Sequence, residues 1–364
     1  MASVSFKNVV KRYPNGFHAV KGINVEIKSG EVIVLIGPSG CGKTTTLRML
    51  AGLEDITSGE VYIGDVLVNE IKPHLRGVGM MFQNYALFPH MNVFGNIAFG
   101  LKPRELSEDE IKRHVNEIAE IVGVTNLLEK MPNKLSGGQR QRVALCRALA
   151  CRHKVILFDE PLSNLDAKLR VSMRAELLRL HKKFDSTFIY VTHDQEDAMA
   201  IADKIILIKD GDIIQTGTAE ELYTNPKNAF VASFFGKPQM NFWTGQISSL
   251  NGDFFVSCGN VKLRLPNDKF SAIQDYVDKE VYVGVRPEHL CLTESDGEGI
   301  LAAKVVHSIF SARERHLHID TTNELKFVAC VPAECSVKDG EQINIKVDTE
   351  KLCLFDNETK ERIR

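Results

Sequence analysis

Residues 37–44 read Gly-Pro-Ser-Gly-Cys-Gly-Lys-Thr, a G-x-x-x-x-G-K-[ST] run set directly after the five apolar residues Val32–Ile36 and directly before a helical pattern over Lys43–Ala51. A continuous apolar run of that length suits a strand buried on both faces, so strand, tight loop and helix must follow one another without a break. Such a loop turns backbone N–H groups inward around phosphate oxygens, and the helix N-terminus adds positive potential. Lys43 would reach the β and γ oxygens of a nucleotide, and Thr44 is placed to ligate Mg²⁺. Gly37, Pro38, Ser39, Gly40, Cys41, Gly42, Lys43, Thr44 and Thr45 are therefore the candidate nucleotide-binding residues.

Triphosphate chemistry also needs a carboxylate at the end of a neighbouring strand, and the apolar run Val155–Asp159 ends in one. Asp159 is the candidate Mg²⁺ ligand. Glu160 follows at once, placed to accept a proton from an attacking water or to orient it. Further apolar runs at 78–82, 188–191 and 205–208 alternate with helical patterns at 111–122, 139–150, 166–184 and 195–201, which predicts an α/β sheet. Ser107 and Glu110 form a capping box ahead of the helix at 111–122.

The chain has 364 residues, enough for two domains. Its 45 Lys and Arg stand against 47 Asp and Glu, a net charge of −2, so it has no global basic field and no nucleic-acid partner is expected. The apolar runs fall far short of the roughly 20 residues that span a bilayer. The first residues, interrupted by Lys7, lack the apolar core of a signal peptide. Eight cysteines without a C-x-x-C pair, one of them inside the glycine loop, fit a reduced, cytoplasmic compartment. Past residue 235 the character changes: Gly236, Pro238, Gly245, Gly252 and Gly259 punctuate short β-rich runs such as 254–256 and 282–285, with one helix expected over 270–276. The expected division is 1–235, with a helical subdomain at about 84–150, and a mostly β domain over 236–364.

The order of the glycine loop, Gln83, Leu135-Ser136-Gly137-Gly138-Gln139, Asp159-Glu160, Ser163-Asn164-Leu165-Asp166 and His193 resembles the ATP-binding cassette ATPases of membrane transporters, over residues 4–235. The resemblance implies a homodimer paired head to tail, with each ATP held between one protomer's glycine loop and the other's Leu135 to Gln139 signature. Ser136, Gly137 and the start of their helix could donate to a γ-phosphate that one loop leaves half uncovered. It further implies that Tyr13 stacks on adenine, that Gln83 ligates Mg²⁺ and senses a transmembrane partner, and that His193 contacts the γ-phosphate. By the same resemblance Asp166 lies in the loop that the family uses to cross the dimer interface, where Asn164 stands in place of a common alanine. The stretch 83–100, rich in Tyr85, Leu87, Phe88, Phe94 and Phe99, would lead into the groove that receives a membrane subunit. The implied partners are two permease subunits and, through them, a solute receptor, at the cytoplasmic face of the cell membrane.

The runs at 236–242, 283–290 and 354–356 are similar to the regulatory C-terminal domain of sugar-importer ATPases of the maltose and glycerol-3-phosphate type. This implies an OB-like fold that regulates, with a regulatory protein as a further partner. Importers of polyamines, iron or thiosulfate carry similar tails, so the solute stays open. A soluble cassette ATPase acting on DNA or ribosomes would need a coiled-coil insertion or a basic arm, and neither stands in the sequence.

Overall fold

The computed structural model describes residues 1–364 apart from 103–105, 164, 296, 298 and 323, so Asn164 lies outside the described residues. The chain forms two compact units, 1–219 and 220–364.

In the first unit, β1 (Val4–Arg12), β2 (His18–Ile27), β4 (Ser58–Ile63) and β5 (Val66–Leu67) make an antiparallel sheet in the order β2-β1-β4-β5. The second sheet holds β3 (Val32–Ile36), β6 (Val78–Met81), β7 (Val155–Asp159), β8 (Thr187–Thr192), β9 (Lys204–Lys209) and β10 (Asp212–Gly217), in the order β10-β9-β3-β8-β7-β6. Its members from β9 to β6 run parallel, and β10 closes the edge as an antiparallel hairpin partner of β9. Every residue of β3, β7 and β8 is buried, which is why these strands read as unbroken apolar runs rather than as alternations. Ile36 pairs with Thr192 and Asp159 with Val191, so β3, β7 and β8 end at one level and release their loops along a single edge. In open parallel sheets that carboxyl edge is where ligands bind.

The helices are α1 (Lys43–Ala51), α2 (Val93–Ala98), α3 (Glu108–Val122), α4 (Gly137–Ala150), α5 (Ala167–Phe184) and α6 (Gln195–Ile201). The capping box at Ser107 and Glu110 forms, and α3 ends on Gly123 in the left-handed conformation. Helices α2, α3 and α4 pack on one another. Asn96, buried in α2, donates to the carbonyls of Phe88, Met91 and Asn92, and Arg147 of α4 donates to those of Tyr85 and Ala86. Tyr85 and Phe88 thus sit in a loop clamped from both sides. No helix among the described residues is long and apolar enough to cross a membrane.

The second unit opens with α7 (Ala219–Thr224) and α8 (Ala229–Phe234). One sheet follows the order β13-β12-β11-β14-β20, built from β11 (Asn241–Leu250), β12 (Asp253–Cys258), β13 (Val261–Leu265), β14 (Glu280–Val285) and β20 (Cys353–Asp356). The other follows β15-β19-β16-β17-β18, from β15 (Leu290–Thr293), β16 (Ile300–Ser311), β17 (Glu314–Thr321), β18 (Lys326–Pro332) and β19 (Gln342–Val347). Both sheets feed one core, which includes Trp243, Val283, Leu317, Ala329 and Leu354.

Two expectations shift. Residues 220–235, expected at the end of the first domain, fall in the second compact unit. Buried Arg286 donates to the carbonyls of Tyr223, Ala232 and Phe235, and the chain end supplies Lys360 O to Ala229 N–H. The glycine and proline change at 236–238 marks a turn inside that unit. Of the helix expected over 270–276, only a 3₁₀ turn at Ile273–Tyr276 forms.

Candidate functional site

The loop between β3 and α1 is shaped by glycines that nothing larger could replace. Gly37 has φ 156° and Gly42 φ 105°; a Cβ on the first would lie 1.9 Å from the Ile208 carbonyl oxygen, and on the second 2.3 Å from that of Ala19. The backbone folds back under Lys43, whose buried ammonium donates to the carbonyls of Gly37 (2.9 Å) and Pro38 (2.8 Å). Cys41 packs beneath the loop, where burial pushes its thiol above its ordinary value. Thr46 N–H bonds to Gly42 O at 2.9 Å, so α1 starts as the loop ends.

Thr44 Oγ1 donates to Asp159 Oδ1 at 3.0 Å, joining the first turn of α1 to the end of β7. Asp159 is only 3% exposed. Its burial holds the carboxyl above the usual range, against the opposing pull of the Thr44 hydroxyl and of Arg48.

Glu160 takes a left-handed conformation (φ 46°), with its N–H bonded to Val191 O at 3.0 Å. That turn swings the side chain toward the ends of two other strands. Gln83, just past β6, reaches Glu160 Oε2 through Nε2 at 3.2 Å, and His193, just past β8, brings Nδ1 to 3.2 Å from the same oxygen. Three strand ends, the outermost two more than a hundred residues apart in sequence, thus converge on one carboxylate.

An open cleft of about 590 Å³ is lined by Tyr13, Phe17, the loop residues from Ser39 to Thr45, Gln83, Glu160 and His193. Gly37, Pro38 and Asp159 are outside that lining and hold its Lys43 and Thr44 by hydrogen bonds. Phe17 was missed in the sequence. A tight turn at 13–17 brings its ring parallel to that of Tyr13, 14° between planes and 6.4 Å between centroids. The available signal was two aromatics four residues apart around Pro14-Asn15-Gly16. Lys11 Nζ sits 5.0 Å from the Tyr13 ring centroid, held by Glu54 at 2.6 Å.

Leu135, Ser136, Gly137, Gly138 and Gln139 do not line this cleft. Ser136 caps α4 in a reciprocal box: its Oγ accepts from Gln139 N–H (3.3 Å), and Gln139 Oε1 accepts from Ser136 N–H (3.0 Å). A Cβ at Gly138 would meet the Leu169 side chain at 2.5 Å, so the start of α4 lies close against the start of α5. Asp166 caps α5 by accepting from the Leu169 N–H at 2.9 Å. Two ion pairs missed in the sequence tie α5 to the segment after His193: Arg170 to Asp194 at 2.7 Å and Arg174 to Asp197 at 2.6 Å.

A family model described as "ABC transporter" matches residues 20–163, and one described as "MalK OB fold domain" matches residues 236–290. The chain is 44% identical to the oligosaccharides import ATP-binding protein MsmX of Bacillus subtilis, covering all of both proteins. It is also 44% identical to the maltose/maltodextrin import ATP-binding protein MalK of Mannheimia succiniciproducens, over 98% of this chain and 96% of that one. Among solved structures it is similar to a dimeric post-hydrolysis state of the ATP-binding cassette MJ0796 bound to ADP and Pi, with TM-score 0.55 and 33% identity over 59% of this chain and 98% of that one. A cassette fold with the loop, the carboxylate pair and the strand-rich extension in this order leaves one assignment: the chain belongs to the ATP-binding subunits of ABC transporters that carry a MalK-type OB-fold domain.

Proposed function

We propose that this chain hydrolyses ATP to energise the import of a carbohydrate, as a head-to-tail homodimer seated on two permease subunits at the cytoplasmic face of the membrane. The observation that carries the reading is the meeting of Gln83, Glu160 and His193 at one carboxylate oxygen beside the glycine loop. The carbohydrate rests on full-length relatives named for oligosaccharide and maltodextrin import.

In this reading the backbone N–H groups of residues 39–45 wrap the phosphates, and Lys43 moves from the loop carbonyls to the β and γ oxygens. Tyr13 and Phe17 offer flat faces to the adenine. The hard oxygen donors of Thr44, Gln83 and Asp159 fit Mg²⁺, and the Thr44 to Asp159 bond shows two of them already side by side. Bound there with the nucleotide, Mg²⁺ would neutralise phosphate charge. Glu160 accepts the proton of the attacking water, while His193 holds the carboxylate and faces the γ-phosphate. Ser136 and the N-terminus of α4, exposed away from their own cleft, serve the partner's nucleotide, and Asp166 lies at the crossing. ATP closes the pair because it adds contacts across it, and loss of the γ-phosphate releases them. The OB-fold unit supplies dimer contact or regulatory input, including docking of a regulatory protein.

The test mixes two inactive proteins. Ser136→Arg places a bulky cation where the partner's γ-phosphate docks, and Lys43→Ala weakens the glycine loop. In a mixed dimer one site carries both lesions and the other carries neither, so ATP-dependent hydrolysis should return on mixing. Absence of any recovery, with both proteins folded, removes the shared site from the proposal. Uptake of labelled oligosaccharides by a strain lacking the gene, with and without the restored chain, tests the substrate class.

A further inference from the structure

Glu314 and His316 stand two residues apart on β17 and therefore share one face of the sheet. Cys330 of β18 lies directly opposite His316 in the antiparallel register. The adjoining Leu317, Ala329 and Val331 point into the core, so the three polar side chains occupy the other face, where each is half-buried. Their donor atoms lie within 4.8 Å of one another, with Glu314 Oε1 and His316 Nε2 at 2.7 Å. The 3₁₀ turn Pro287–His289 packs against β18 and brings Glu288 close enough for its charge to act on the Cys330 thiol. The phenol of Tyr223 donates to that carboxylate.

We propose that Glu314, His316 and Cys330 form a zinc site in the OB-fold unit. A sulfur, a nitrogen and an oxygen donor together match a borderline-soft divalent ion and exclude Mg²⁺ or Ca²⁺, which take oxygen alone. Metal–ligand bonds of about 2.0–2.3 Å in a tetrahedron place donor atoms roughly 3.3–3.8 Å apart. The present separations, from 2.7 Å to at most 4.8 Å, bracket that range, so side-chain rotation can close the site on a strand pair already fixed by its ladder. Binding forms the S–Zn bond as the thiol releases its proton to solvent, and the ion supplies the positive charge that Glu288 and Glu314 face. A water takes the fourth position.

The test titrates Co²⁺ into the full chain, free of nucleotide and kept reduced with a non-thiol reductant. The parent should develop a thiolate-to-cobalt charge-transfer band that saturates at one ion per chain and is displaced by Zn²⁺. Cys330→Ser should abolish the band, and His316→Ala should weaken Co²⁺ affinity at least about tenfold. Cys291→Ser, at an exposed cysteine of the same unit, should leave it intact. Circular dichroism establishes that each variant is folded; should Cys330→Ser unfold, His316→Ala carries the same comparison. No thiolate band in the parent at saturating Co²⁺, or a band unchanged in folded Cys330→Ser or His316→Ala, overturns the proposal.

Discussion

His193 Nδ1 lies 3.2 Å from Glu160 Oε2, so the residue after β8 steadies the carboxylate after β7. If that carboxylate takes the proton of the attacking water, Glu160→Gln keeps the size and the hydrogen-bonding capacity but not the base. Steady-state hydrolysis should fall by roughly 10² to 10⁴ while nucleotide affinity holds. Hydrolysis at the parent rate would exclude Glu160 as the base.

Asp159 gives a stability and an activity readout of opposite sign. Burial raises its folded value above the unfolded one of about 3.9, so the folded chain binds this proton more tightly. Its contribution to stability is therefore fullest below the unfolded value and is lost as pH rises through the folded one. Asp159→Asn carries no buried charge at neutral pH, and its amide oxygen can still accept from Thr44. The thermal midpoint at pH 7.5 should match or exceed the parent's, while Mg²⁺-dependent hydrolysis drops by about 10² or more. A clearly lower midpoint would show that the charge of Asp159 stabilises the fold.

Tyr13 and Phe17 present a stacked pair at the mouth of the cleft, with Phe17 54% exposed. Because stacking on a base contributes about 1–3 kcal/mol, Tyr13→Ala and Phe17→Ala should each weaken ATP binding by about fivefold or more. Thermal stability should hardly move for Phe17→Ala. Inorganic triphosphate, which has no base, should bind each variant as it binds the parent, and an equal loss for both ligands would point to a distorted loop.

Arg286 holds the opening helices of the second unit by donating to three backbone carbonyls, its guanidinium 3.6 Å from the Tyr223 ring centroid. Arg286→Ala strands buried carbonyls and should cost about 3 kcal/mol, read as a lower denaturation midpoint for this unit. By the same contacts, a chain ended at 219 should be more soluble than one ended at 235, which would keep α7 and α8 without their partner. The reverse order would restore the boundary to 236.

Features that depend on neighbours a few residues apart are legible in the amino-acid order alone. Val32–Ile36 and Lys43–Ala51 fall where the apolar run and the helical pattern put them. Ser107 and Glu110 close their box because both partners lie within one turn. The glycine loop was legible because its conformation requires residues without a Cβ, and Asp159 because it ends an apolar strand. Relations across long separations are fixed by packing of the folded chain. Gln83, Glu160 and His193 meet because β6, β7 and β8 are neighbours in the sheet, an order that no local pattern encodes. The boundary at 219/220 follows from Arg286 reaching back to Tyr223, and Glu314, His316 and Cys330 come together through the register of β17 with β18. Hydrogen bonds and side-chain periodicity within one element leave a signature in adjacent residues, whereas a contact between elements depends on how buried apolar faces choose their partners, and that choice is made by the whole chain.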